Sequence, residues 1–87
     1  MRLWVERLAK RLSEEGKITC DNIFGSHYIR LGELTMFLSS YYTLTIRRYD
    51  EANTITVYQD EYDLLNKTIN KLEEKQVDKL ITDLNLI

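Results

Sequence analysis

Arg47, Arg48 and Tyr49 stand together inside YTLTIRRYDEANTITVY, residues 42–58. Two guanidinium groups beside an aromatic ring suit a partner that is anionic and flat. The charges would meet phosphates and the ring would stack on a base. The same residue types also serve cross-strand packing and protein interfaces, where Tyr and Arg are enriched. The sequence holds six tyrosines in 87 residues, so aromatic contact surface is plentiful.

Catalytic constellations are missing. No glycine-rich phosphate loop follows a strand, because the three glycines are isolated. Ser26 and His27 are neighbours in FGSHY, but sequence neighbours rarely form a nucleophile–base pair and no elbow motif surrounds them. The pairs Glu14/Glu15 and Glu73/Glu74 read as solvated charge on helix faces. Cys20 and His27 are the only cysteine and histidine, fewer than a four-ligand zinc site needs. The expectation is a protein that is not an enzyme and has no cofactor and no metal.

The lone cysteine excludes a disulfide within the chain and fits a reducing, cytoplasmic setting. No apolar run is long enough to span a bilayer. The stretch MRLWVERLAKRLSEEGK is too charged for a signal peptide, and Glu6, Glu14 and Glu15 favour a core-packing helix over a membrane-surface one. Net charge is −2, from 12 basic and 14 acidic residues. Residues 1–48 carry eight basic and five acidic groups, whereas 49–87 carry four and nine. That polarity would orient the molecule towards an anion.

These groups must be held by elements. Trp4, Val5, Leu8 and Leu12 follow a helix face, which predicts a helix over 2–15 that stops at Gly16. Residues 17–19 could add a short strand, and CDNIFGS (20–26) a short helix. In YIRLGELTMFLSSYY (28–42), Leu31, Leu34, Phe37, Leu38 and Tyr41 share a helical face, with Gly32 weakening the start. Residues 43–58 alternate as a hairpin around a DEAN connection at 50–53. If residue 49 pairs with 54, Ile46 faces Val57, and Arg47, Tyr49 and Tyr58 share the outward face. The remainder reads as one long helix. Its stripe of Leu65, Ile69, Leu72, Val77, Leu80 and Leu84 exceeds what so small a core needs, so a second copy of the chain is expected to cover it.

EEGKIT, CDNIFGS, YIRLGELTMFLSSYY and the 42–58 hairpin, in that order, resemble the winged-helix family of DNA-binding domains. The long final helix is similar to the dimerising helix of PadR-like regulators and of small plasmid-partition or viral winged-helix proteins. The resemblance implies an α+β fold: a winged helix-turn-helix with a two-stranded hairpin over 1–59, and a dimerisation helix over 60–87. It puts Arg30, Thr35, Met36, Ser39 and Ser40 near the major groove, Arg47, Arg48 and Tyr49 on the wing, and Lys17 and His27 beside the phosphates. The function expected is that of a homodimeric protein on double-stranded DNA, a transcriptional regulator or partition-type factor. The alternative is a small α+β inhibitor or interaction module that grips a protein target through its hairpin face and acidic helix.

Overall fold

The computed structural model describes residues 1–15, 17–23 and 26–85, with side chains for 1–14 and 26–84. It is an α+β fold: α1 (Leu3–Glu15), then β1 (Lys17–Ile23), β2 (Ser26–Leu31), β3 (Leu34–Ser39), β4 (Thr43–Arg48) and β5 (Glu51–Thr56), then α2 (Gln59–Asn85). The five strands form one antiparallel sheet in sequence order, so every connection within it is a hairpin. The expected Gly16 cap lies outside the described residues.

α1 and α2 form where the apolar spacing placed them. The sheet is larger than expected, and it replaces the recognition helix of a winged helix-turn-helix. Residues 28–42 were expected to be helical, yet they form most of β2, all of β3 and the turn after it. The letters fit both periods. Ile29 and Leu31, then Leu34, Met36 and Leu38, alternate with a period of two and are all buried or half-buried. Gly32 decides between the two patterns. It sits at φ 56° in a two-residue turn that pairs Leu31 with Leu34, a conformation glycine adopts without penalty. The expected short helix over 20–26 is also replaced, since β1 runs to Ile23 and β2 starts at Ser26; Phe24 and Gly25 lie outside the described residues.

The second hairpin closes more tightly than expected. Arg48 pairs with Glu51 around a two-residue Tyr49–Asp50 turn, and Ile46 faces Asn53 rather than Val57. The register moves by an even number of residues, so Arg47 and the other residues that stay in the strands keep their predicted face, whereas Tyr49 falls in the turn and Tyr58 lies beyond β5. Tyr49 bears the consequence, with a φ of 54° that non-glycine residues rarely adopt.

One face of the sheet packs against both helices. Ile29, Leu31, Met36, Leu38 and Leu44 meet Val5, Ala9 and Leu12 of α1 and Leu65, Ile69 and Leu72 of α2 in a single core. Tyr41, expected in that core, is 85% exposed in the β3–β4 turn. The next residue does the anchoring: Val57 N–H donates to the Tyr42 carbonyl at 2.9 Å, and the Tyr42 ring sits 4.8 Å from that of Tyr62.

The helices begin at a common corner built on Glu61, whose side chain is fully buried. Its Oε1 accepts from Arg2 Nη2 at 2.6 Å and from the Tyr58 N–H at 2.9 Å. Its Oε2 accepts from Arg2 Nε at 2.9 Å and from the Arg2 N–H at 3.2 Å. Tyr58 and Arg2 each precede the first turn of a helix, so one carboxylate caps two helix N-termini. The Arg2 hydrogen bonds hold the Glu61 carboxyl at about 2, below the ordinary 4.5, although burial pushes it the other way. Arg2 also donates to the Thr56 carbonyl at 3.2 Å and lies over the Trp4 and Tyr58 rings.

The stripe on α2 is two stripes. At 100° per residue, Val77, Leu80, Ile81 and Leu84 point about 120° away from Glu61, Leu65, Ile69 and Leu72. The first set is buried in the chain's own core, which leaves Leu65, Ile69 and Leu72 no surface for a second copy. From Glu74 to Leu84 every side chain is exposed. No helix among the described residues is long and apolar enough to cross a membrane.

Two predictions follow from this packing. Ile69→Ala should cost about 2–5 kcal/mol in urea denaturation, while Leu80→Ala should change stability by less than about 0.5 kcal/mol. Because the Glu61 carboxyl is depressed on folding, its contribution is complete above the unfolded value near 4.5 and is lost as pH falls towards about 2. Glu61→Gln should therefore lower the melting temperature at pH 7 and flatten its fall between pH 5 and 2, read by circular dichroism.

Candidate nucleic-acid interface

The sheet face away from the helices is open. Its positions follow from the register. One row runs Tyr28, Phe37, Thr45, Thr54, and the next runs Arg30, Thr35, Arg47, Ala52. Lys17 extends the second row through its pairing with Arg30, though its side chain lies outside the described residues. Ser26, Ser39, Thr43 and Thr56 hold the remaining outward positions of β2–β5. None of these twelve positions is acidic, in a chain with 14 acidic residues.

The two rows differ in chemistry. Tyr28 and Phe37 form a cross-strand aromatic pair with ring centroids 4.7 Å apart and planes tilted by 45°. Phe37 is half-buried and Tyr28 exposed, so the pair is rooted on one side and presents ring surface on the other. The Thr45 and Thr54 hydroxyls bond to each other at 2.9 Å and continue the row. Arg30 and Arg47 are both exposed, and the Arg30 Nε donates to the Gly32 carbonyl at 3.1 Å, which draws its guanidinium towards the turn. Tyr28, Thr35, Phe37, Thr45, Arg47 and Ala52 together line a shallow depression. Neighbouring rows on one face lie two residues apart, roughly 7 Å.

The residues expected to contact DNA are divided by this geometry. Arg30, Thr35 and Arg47 share the open face. Met36 does not, because it is buried in the core. His27 is corrected from a phosphate neighbour to a buried bridge on the helix side of the sheet. Its Nδ1 lies 3.2 Å from Glu73 Oε1 and its Nε2 lies 3.0 Å from Asn66 Oδ1. Ser39 is buried, and its Oγ accepts from the Tyr41 N–H at 3.1 Å. Ser40 lies in the turn that follows. Arg48 has the parity of the helix-covered face, near the Tyr49 ring at the hairpin tip. The Tyr49 hydroxyl donates to Glu33 Oε2 at 2.6 Å, tying the tip of one hairpin to the turn of the other.

Two pairs escaped sequence reasoning. Tyr28 and Phe37 were hidden because their segment was read at helical period; the alternation around LGEL was the available signal. Glu61 was read only as a charge favoured by the helix dipole. Its third position in the helix was the clue to a capping carboxylate, but nothing local connects it to Arg2.

Tyr49→Phe should leave global stability within about 1 kcal/mol of wild type. It should speed amide hydrogen exchange at residues 49–51, because it removes the side-chain bond that ties this turn to Glu33 of the β2–β3 turn. Unchanged exchange there would show that the turn is held by its backbone alone. The chain matches no protein-family model, no curated protein and no solved structure.

Proposed function

We propose that the protein binds nucleic acid across the open face of its sheet, and that it takes an unpaired strand rather than a duplex. The observation that carries this reading is the outer face of β2–β5, free of acidic residues, with Arg30 and Arg47 one row from Tyr28 and Phe37. Bases would stack on the aromatic row while the backbone follows the arginine row. This stacking is sequence-tolerant, since every base has a flat face.

Duplex recognition fits less well. Residues 28–42, which a winged helix-turn-helix would use to read the major groove, are mostly strand. Five strands spaced by ~4.8 Å make a face about 19 Å wide, broader than the ~12 Å major groove. Single strands can lie flat on such a sheet with their bases turned towards it. A role for the protein in transcription or partition would then rest on exposed single strands.

Fluorescence anisotropy with a mixed-sequence single-stranded oligonucleotide and its duplex tests the proposal. The single strand should bind more tightly at low salt and weaken steeply as salt rises. Tyr28→Ala should weaken it by roughly 5- to 150-fold, the range for one lost stacking contact. Arg47→Ala should reduce the salt slope by about 0.7, one phosphate contact on a single strand. If wild-type protein binds no strand at low salt, or Arg47→Glu binds as well as wild type, the proposal is wrong.

A further inference from the structure

The second half of α2 is a separate surface, on the helix side of the sheet and away from the open face. None of the described residues covers it. Val77, Leu80, Ile81 and Leu84 are 54%, 58%, 51% and 72% exposed. They are spaced i, i+3, i+4, i+7, the seam of a helix that packs against another helix over two turns. The seam starts where the chain's own packing stops. Leu72 is the last buried residue of α2, and Glu73 is held by His27 of β2 at 3.2 Å. That contact fixes the base of the protruding helix. A helical stretch with no tertiary packing is only marginally stable, so a partner along the seam would stabilise the helix that receives it.

Charge selects among the possible partners. At 100° per residue, Glu74 and Asp78 border one side of the seam and Asp83 borders the other, while Lys75 and Lys79 lie roughly 150–170° from its centre. Both borders are therefore free of basic residues, and the lysines face away. A second copy is a poor fit. A second copy brings the same base-free flanks to the seam, so nothing basic would stand against Glu74, Asp78 or Asp83.

We infer that the C-terminal half of α2 docks a basic amphipathic helix of another protein, with leucine-type residues on the Val77–Leu84 seam and lysine or arginine against Glu74, Asp78 and Asp83. The inference is independent of nucleic-acid binding, because the two surfaces share no residue.

The test uses two synthetic helical peptides with leucine at the a and d positions of the heptad, one with lysine and one with glutamate at e and g. In calorimetric titration at low salt the lysine peptide should bind at least tenfold more tightly than the glutamate peptide. The double variant Leu80→Ser/Ile81→Ser should lose that binding with an unchanged circular dichroism melt of the body, since both side chains lie outside the core. Glu74→Lys/Asp78→Lys should invert the preference in favour of the glutamate peptide. Equal affinity for both peptides overturns the inference, as does no binding of the lysine peptide, or wild-type affinity in the serine variant. Sedimentation equilibrium that shows a dimer dissolved by the serine variant would assign the seam to a second copy, and overturns it too.

Discussion

Everything in this fold converges on one carboxylate. Glu61 is buried and accepts four hydrogen bonds, three of them from Arg2 and one from the backbone that opens α2. A buried charge is costly unless it is paired and its lone pairs are satisfied. Here both conditions hold, because two helix N-termini supply backbone donors and a guanidinium supplies a bidentate partner. The arrangement sets where α1 and α2 start relative to each other. Arg2 reaches also to Thr56, so the end of the sheet is registered to the same corner. The orientation of the helical layer over the sheet depends on this cluster, and so does the direction in which α2 leaves the body.

That helical layer gives the sheet two unlike faces. The covered one carries Ile29, Leu31, Met36, Leu38 and Leu44, and the open one carries aromatics, arginines and hydroxyls. Apart from Asp21 of β1, the acidic residues of the chain stand on the helices, in the turns and on the helix-side parity of β5. The overall negative charge therefore says little about the open face. Surface distribution governs what a protein attracts, and a sheet separates its residues by parity more cleanly than any average can report.

The helices were legible because each carries a long, regular apolar period and few competing signals. The sheet was legible in its last hairpin, where Thr and β-branched residues alternate without interruption, and in the short strand expected over 17–19, which is the start of β1. Between residues 28 and 42 the apolar residues satisfy both a 3.6 and a 2.0 period. Gly32 was then read as a flaw in a helix when it is the bend of a hairpin. The faces of Arg47 and Thr45 were right even though the pairing was four residues out, since an even slip preserves parity. The single apolar stripe expected along α2 failed for a different reason. A one-residue phase change after Leu72 is small on paper, yet it turns Val77 through Leu84 out of the core. Long-range partners such as Arg2 and Glu61 leave no local trace at all.

The Arg2–Glu61 contact spans 59 positions of the chain. A ribosome adding about 5–20 residues per second needs roughly 3–12 s to make the second partner after the first. Throughout that interval α1 has neither its capping carboxylate nor the helix it packs beside, and the apolar side of the nascent sheet lacks the part of its cover that α2 supplies. The corner that organises the finished molecule is thus among the last features to form during synthesis, and the growing polypeptide must stay soluble without it.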